Sequence, residues 1–332
     1  MKKNKLGESE LEVTEFTLGC WALAGGMNWG FQDESDSIKA VHAALDAGIH
    51  AFDTAEGYGD GLSEQILGKA LGNRRDEVII ATKVSSDHLE PTQHRLSCEK
   101  SLRRLRKEVI DFYQIHWPPV EAAMEEVVET MEALRSEGKI RAYGVCNFGP
   151  GQLADYLSCN GMKTTNQVAY NLLARAVELE IIPTVGKARM NILAYSPLMQ
   201  GLLTGKFKSL DEVPEARQRT RHFSSEKKLA RHGEPGHEAL TRDVLEGIRH
   251  IAVEIDRSLP ELALRWLLDR RDSRVSSVIV GARNAEQVKR NMAAAAQPLS
   301  DETIRALDTV TEPLKNAMGS NADLWESPGR IA

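Results

Sequence analysis

Residues 50–59 read His50-Ala51-Phe52-Asp53-Thr54-Ala55-Glu56-Gly57-Tyr58-Gly59. A short apolar run of strand length is closed by a carboxylate, and a glycine-flanked tyrosine follows in the next loop. The same pattern recurs downstream. Val78 to Thr82 runs into Lys83, and Phe112 to Ile115 runs into His116. Strands that end in titratable residues and alternate with longer segments of helical period are the mark of repeated βα units around a parallel sheet.

Counting outward from this stretch gives eight candidate strands: Phe16 to Leu18, His50 to Asp53, Val78 to Thr82, Phe112 to Ile115, Arg141 to Val145, Thr165 to Val168, Ile192 to Tyr195 and Ser277 to Val280. Between them, Ile38, Val41 and Leu45 recur at helical spacing, as do Met124, Val127, Val128, Met131 and Leu134, so each segment carries one apolar stripe. Eight strands and outer helices predict an α/β fold, a (β/α)8 TIM barrel, over residues 1–332 as a single domain. Lys2 to Leu6 and Leu11 to Val13, joined at Gly7 to Ser9, predict an N-terminal β-hairpin that closes one end. Asp211 to Glu238 breaks the alternation with Pro214, Gly233, Pro235 and Gly236 and reads as a long loop after strand seven.

Composition excludes several function classes. The 332 residues hold 42 Lys and Arg against 48 Asp and Glu, a net charge of −6, so nothing draws the chain generally to nucleic acid or anionic lipid. Cys20, Cys98, Cys146 and Cys159 lack zinc-ribbon spacing and read as free thiols. Lys2, Lys3 and Lys5 give way at once to Glu8, Glu10 and Glu12, and no apolar run reaches spanning length, which points to the cytosol and away from membranes.

In a barrel of this kind the catalytic groups come from the C-terminal ends of strands. Asp53, Tyr58, Lys83 and His116 meet that condition and together form a proton-transfer set. Hydride delivery to a carbonyl leaves negative charge developing on oxygen, which an acid must neutralise. Tyr58 suits that role. Its phenol titrates ordinarily near a pKa of about 10, and a neighbouring Lys83 ammonium lowers this by favouring phenolate. Asp53 would hold the ammonium, and a neutral His116 would donate to the substrate oxygen. Each also has a plain structural reading: a helix cap at Asp53-Thr54, a solvated lysine, a turn tyrosine, a loop histidine. Their conjunction at consecutive strand ends favours chemistry.

The chain resembles the aldo-keto reductase superfamily. The segments that carry the resemblance are Phe52 to Gly59, Ala81-Thr82-Lys83, Asp111 to Trp117, Gly144-Val145-Cys146-Asn147-Phe148, Tyr195-Ser196-Pro197-Leu198 and Gly201 to Lys206. It implies that Asp53, Tyr58, Lys83 and His116 are a catalytic tetrad serving an NADP-dependent oxidoreductase, with an aldehyde or ketone reduced to an alcohol or the reverse. The cofactor would lie extended across the barrel mouth, and indeed no GxGxxG turn follows a strand. By the same resemblance Asn147 and Gln167 hold the nicotinamide carboxamide and Tyr195 stacks on the ring. Trp21 and Asp53 border the cofactor, and Ser196, Leu198, Gly201 and Lys206 follow the pyrophosphate. Gly281, Arg283, Gln287 and Asn291 take the adenosine end, where the Arg283 guanidinium favours the 2′-phosphate of NADP, with NAD the alternative. Two departures stand out: Cys146 replaces the usual serine, and Gly281 stands where some branches carry lysine.

Six basic residues (Arg217, Arg219, Arg221, Lys227, Lys228, Arg231) accompany one acidic, Glu226, between 217 and 231, a pattern that suits a lid over a polyanion or a solvated loop equally. The irregular spacing of His222, His232 and His237 argues against a metal. Trp21 and Trp117, with Tyr58 and His116, would line the substrate side, and Trp29 and Trp325 are further aromatic wall candidates. Two rival functions remain at the level of sequence: a Schiff-base aldolase using Lys83, and a slow nucleotide-sensing subunit with the same tetrad. Substrate identity, flux direction and oligomeric state are not encoded legibly.

Overall fold

The computed structural model describes residues 1–325. Eight parallel strands close a barrel: β3 (Phe16–Gly19), β4 (Ala51–Asp53), β5 (Ile79–Val84), β6 (Ile110–Ile115), β7 (Ile140–Cys146), β8 (Thr165–Ala169), β9 (Asn191–Tyr195) and β10 (Val275–Gly281), with β10 pairing back to β3. All eight expected strands are present. The hairpin is present too, with β1 (Lys3–Lys5) antiparallel to β2 (Glu12–Thr14).

Helices α1 (Glu34–Asp46), α2 (Leu62–Leu71), α3 (Pro91–Leu105), α4 (Met124–Ser136), α5 (Pro150–Ser158) and α6 (Ile181–Lys187) follow the strands in turn. Then α7 (Glu238–Glu254) and α8 (Leu259–Asp269) precede the last strand, and α9 (Ala285–Ala294) and α10 (Asp301–Met318) follow it. Local chemistry starts them where the sequence indicates. Asp33 accepts from the Ser35 amide at 2.8 Å to open α1, and Ser258 with Glu261 forms a capping box on α8 behind Pro260.

Side chains alternate across each strand, so every second residue points into the barrel. Ala51, Ala81, Phe112, Ala142, Leu193 and Ile279 form an apolar layer inside it, sealed from below by Leu6, Leu11 and Val13 of the hairpin region. Two residues further along the same strands the inward register reaches Asp53, Lys83, Gln114 and Tyr195, so a polar layer sits directly above a dry one. The larger core lies outside the barrel, where the apolar stripes of α1 and α4 expected from spacing (Val41, Leu45; Val127, Val128, Met131, Leu134) are buried against the strands.

The segment between β9 and α7 departs from a solvated loop. It carries short helical turns at Met199–Thr204, Leu210–Glu212 and Glu215–Arg217, yet Arg219, Thr220, Arg221, His222 and Phe223 are buried. Arg221 donates to the main-chain oxygens of Met318, at 2.9 Å, and Asn321. Buried guanidinium-to-carbonyl bonds tie the loop to the last turn of α10 and the residues just after it. Lys227 and Lys228 face Glu238 and Glu215 in ion pairs, while the Arg217 and Arg219 guanidiniums lie over the rings of Trp29 and Trp325 at 4.8 and 5.2 Å.

Candidate active site

Asp53 ends β4 and Lys83 is the penultimate residue of β5, both in the inward register. The Lys83 ammonium is fully buried and donates to Asp53 Oδ1 at 2.6 Å, to the Thr54 carbonyl at 2.7 Å and to the Tyr58 hydroxyl at 3.3 Å. The second carboxylate oxygen of Asp53 accepts from Gln167 Nε2 at 2.7 Å and Gln114 Nε2 at 3.4 Å. A carboxylate with both oxygens bonded in this way is held in one orientation and fixes the ammonium beside it.

Tyr58 sits in the turn between β4 and α2, half-buried. Its ring stacks on Trp21 at 5.9 Å and meets His116 edge-on at 5.6 Å. His116 is the first residue past β6, with its amide bonded to the Val84 carbonyl at 2.9 Å. The four tetrad residues therefore converge. Trp117 stacks on His116 at 6.2 Å, and Trp29 and Trp325 meet Trp21 edge-on at 5.4 and 6.0 Å, so the aromatic wall is continuous around the hydroxyl.

The electrostatics correct one expectation. Burial lowers the Lys83 pKa, but the charges of Asp53 and Tyr58 outweigh it, and the ammonium is held above the ordinary lysine range. Burial raises the Tyr58 phenol by more than the Lys83 ammonium lowers it, so the phenol titrates above, not below, its ordinary value. Lys83 acts in the expected direction; the sequence offered no measure of the desolvation opposing it. At neutral pH Tyr58 is a proton donor and Lys83 is charged. An ammonium paired and sealed in this way is a poor nucleophile, which weighs against the Schiff-base alternative.

On the opposite side of the mouth, Asn147 follows β7 in the left-handed region at φ 62°. Its Oδ1 accepts from the Tyr195 hydroxyl at 2.8 Å, and Nδ2 donates to the His116 carbonyl at 3.1 Å and to Cys146 Sγ at 3.2 Å. Gln167 is adjacent through Cys146, at 3.6 Å. Trp325 donates its indole N–H to the Tyr195 hydroxyl at 2.9 Å, so the described C-terminal end covers this corner. After β9 the backbone turns through positive φ at Ser196, Met199, Gln200 and Gly201, and the Met199 and Gly201 amides close the curl onto the Ser196 and Leu198 carbonyls at 2.9 Å each. At Gly201, with φ 105°, a Cβ would lie 2.5 Å from Lys206 Cε, so no other residue fits there unless the lysine moves.

Lys206, Arg217 and Arg283 share the next sector. Burial first, then repulsion from Arg217 and Arg283, lowers Lys206; burial and Arg283 lower Arg217. Among the described residues none of the three forms an ion pair. Arg217 lies over the Trp29 ring at 4.8 Å and donates to the Asn28 carbonyl at 3.1 Å. Arg283 donates through Nε to Gln32 Oε1 at 2.8 Å and through Nη2 to the Phe31 carbonyl, while its amide donates to Gln287 Oε1 at 2.9 Å. Asn291 reaches the Gly281 carbonyl at 3.4 Å. The arrangement is a concentrated positive field without a counterion among the described residues, which fits a ligand carrying several phosphate charges.

Sequence reasoning missed Gln114 as a partner of Asp53 and Gln32 as the anchor of Arg283. Gln114 was within reach, since it lies two residues after the inward Phe112 in the same strand. Gln32 had no local signal, because its partner is 251 residues away.

The family model described as Aldo/keto reductase family matches residues 15–312. The NADH-specific methylglyoxal reductase of Escherichia coli (strain K12) is 33% identical over 339 residues, covering 95% of this chain and 100% of that relative. Among solved structures, the glycerol dehydrogenase AKR11B4 from Gluconobacter oxydans superposes with a TM-score of 0.79 at 30% identity, covering 99% of each chain. The aldo/keto reductase from Klebsiella pneumoniae, solved in complex with NADP and acetate, gives 0.71 at 26% identity over 94% of this chain and 96% of that one. With an eight-stranded barrel closed by a hairpin, and with sequence likeness running almost from end to end, the chain belongs to the aldo/keto reductase family of oxidoreductases.

Proposed function

We propose that this protein is an NADP(H)-dependent reductase of aldehydes and ketones, able to run in reverse as an alcohol dehydrogenase, with residues 1–332 acting as one cytosolic barrel domain and Tyr58 as the general acid. The observation that carries this reading is the line of hydrogen bonds from Asp53 through Lys83 to the Tyr58 hydroxyl, at 2.6 and 3.3 Å, beside His116. A reduced nicotinamide, when bound, supplies hydride to the carbonyl carbon. As charge grows on the carbonyl oxygen, the Tyr58 O–H donates its proton there, and Lys83 stabilises the tyrosinate left behind. Asp53 keeps that lysine charged and immobile. His116 orients the oxygen, and Trp21 and Trp117 give the substrate an apolar wall.

The residues available fit a nicotinamide dinucleotide. Asn147 and Gln167 would hold its carboxamide and Tyr195 its ring. Ser196, Leu198, Gly201 and Lys206 would follow the diphosphate. Gly281, Arg283, Gln287 and Asn291 would take the adenosine. Three cations without carboxylate partners among the described residues favour the extra phosphate of NADP. One relative is named NADH-specific and one neighbour was solved with NADP, so the preference must be measured. Those names also suggest small carbonyls such as methylglyoxal as substrates.

The test is quenching of tryptophan fluorescence by NADPH and NADH, followed by loss of the 340 nm absorbance with methylglyoxal and 4-nitrobenzaldehyde. Tighter binding of NADPH and cofactor oxidation with at least one carbonyl support the proposal. Binding without oxidation would favour a nucleotide-sensing role.

A further inference from the structure

We propose that Glu64, bridging the helix that follows Tyr58 to the strand that carries Lys83, is a positioning residue that sets the Tyr58–Lys83 geometry; the inference rests on Tyr58 being the acid. The main chain around Tyr58 depends on the start of α2. The Ser63 amide donates to the Tyr58 carbonyl at 3.2 Å and the Leu62 amide to that of Gly59 at 3.1 Å. Wherever α2 moves, the phenol follows.

Glu64 lies in the first turn of α2 and is fully buried. Its Oε1 accepts from the Thr82 hydroxyl at 2.6 Å, and its Oε2 accepts from the Arg104 guanidinium at 3.2 Å. Thr82 immediately precedes Lys83 and faces outward while the lysine faces in. One carboxylate thus joins the segment holding the acid to the segment holding its ammonium. Arg104 completes the brace from α3. A Cβ added at Gly61 would overlap its guanidinium, so arginine and turn are in contact, and one added at Gly68 would come within 2.8 Å of the Arg104 carbonyl.

Energetics point the same way. Burial raises the Glu64 pKa, opposed by the hydroxyls of Thr82 and Ser101 and by the arginine. A buried charged contact is seldom the most stable filling for its volume, and apolar side chains commonly serve stability as well. What a carboxylate with two directed partners adds is a fixed geometry, and the Lys83 Nζ to Tyr58 oxygen separation is already long, at 3.3 Å. A displacement of one ångström in reacting groups costs up to about a hundredfold in rate.

The experiment compares Thr82→Val, Thr82→Ser, Glu64→Ala and the Glu64→Ala/Thr82→Val double variant by kcat and KM for 4-nitrobenzaldehyde, NADPH affinity and Tm, with Tyr58→Phe alongside. Thr82→Val, which preserves shape, should lower kcat by roughly tenfold while KM and NADPH affinity stay within about twofold, and Thr82→Ser should restore kcat. The double variant should lose no more than Glu64→Ala alone, because both remove one link. Wild-type kcat in Thr82→Val, an equal loss in Thr82→Ser, or additive losses in the double variant would overturn the proposal. If Tyr58→Phe turns over normally, the reading of Tyr58 itself fails; a dead Tyr58→Phe beside a normal Thr82→Val removes Glu64 alone.

Discussion

The Lys83 ammonium donates to the Tyr58 hydroxyl at 3.3 Å from a position without solvent exposure. This relationship joins the fold to the chemistry, since the strand register that buries the lysine also aims it at the phenol. Asp53 holds the pair together at 2.6 Å, and removing either end leaves the other charge stranded.

Lys83→Met should therefore destabilise the protein by about 3–5 kcal/mol, because the buried Asp53 carboxylate loses its counterion. Lys83 is raised above its ordinary value by Asp53 and Tyr58 against the opposing effect of burial. Its contribution is then fully present below the unfolded lysine pKa of about 10.4 and is lost only as pH rises beyond that toward the folded value. Urea unfolding from neutral to alkaline pH checks this. The wild-type advantage should be constant to about pH 10 and then shrink.

His94 is buried on α3 with no hydrogen-bond partner for either ring nitrogen among the described residues, and burial pulls its pKa down to about 4. The unfolded chain takes up the proton near pH 6.5, about the free imidazole value, and the folded chain does not. Stability is full above that pH and falls as the medium acidifies toward the folded value. His94→Leu should be close to neutral at pH 7.5 and more stable than wild type at pH 5 by about 1–2 kcal/mol. Thermal melts at the two pH values decide it.

Much of this arrangement is legible in the chain and some is not, for physical reasons. Asp53, Lys83 and His116 announce themselves because a polar residue at a strand end is a local feature. The barrel follows from the count of such strands. The Tyr195–Trp325 bond and the Arg283–Gln32 pair join residues 130 and 251 positions apart, and no local rule reaches them. Desolvation of Tyr58 is likewise a property of the surrounding walls. The 211–238 segment is undecided for the same reason: its prolines, glycines and charges suit a lid or a solvated loop equally, and the carbonyls that accept from Arg221 belong to α10 and the residues after it.

Arg283→Ala should weaken NADPH by about 1–3 kcal/mol through loss of a charge-assisted contact and leave NADH nearly unchanged. Arg217→Ala, nearer Trp29, should weaken both if it serves the shared diphosphate. Fluorescence titration separates the two patterns. An equal effect of Arg283→Ala on both cofactors would remove the basis for an NADP preference.

Cys20, Cys98 and Cys146 are buried, and burial raises each thiol, that of Cys98 to about 12. Only Cys159 is partly exposed. A disulfide reagent such as DTNB should label one thiol quickly in the native protein and all four in denaturant, since reactivity follows accessible thiolate. Mass spectrometry should find the fast label on Cys159.

The most direct measurement is the single-turnover reduction of 4-nitrobenzaldehyde by Tyr58→Phe preloaded with NADPH, read at 340 nm. The hydroxyl is the only group removed, so cofactor binding should be retained while the rate falls by about 10²- to 10⁴-fold. A variant that reduces the aldehyde at the wild-type rate would contradict the assignment of Tyr58 as the acid and, with it, the role given to Lys83.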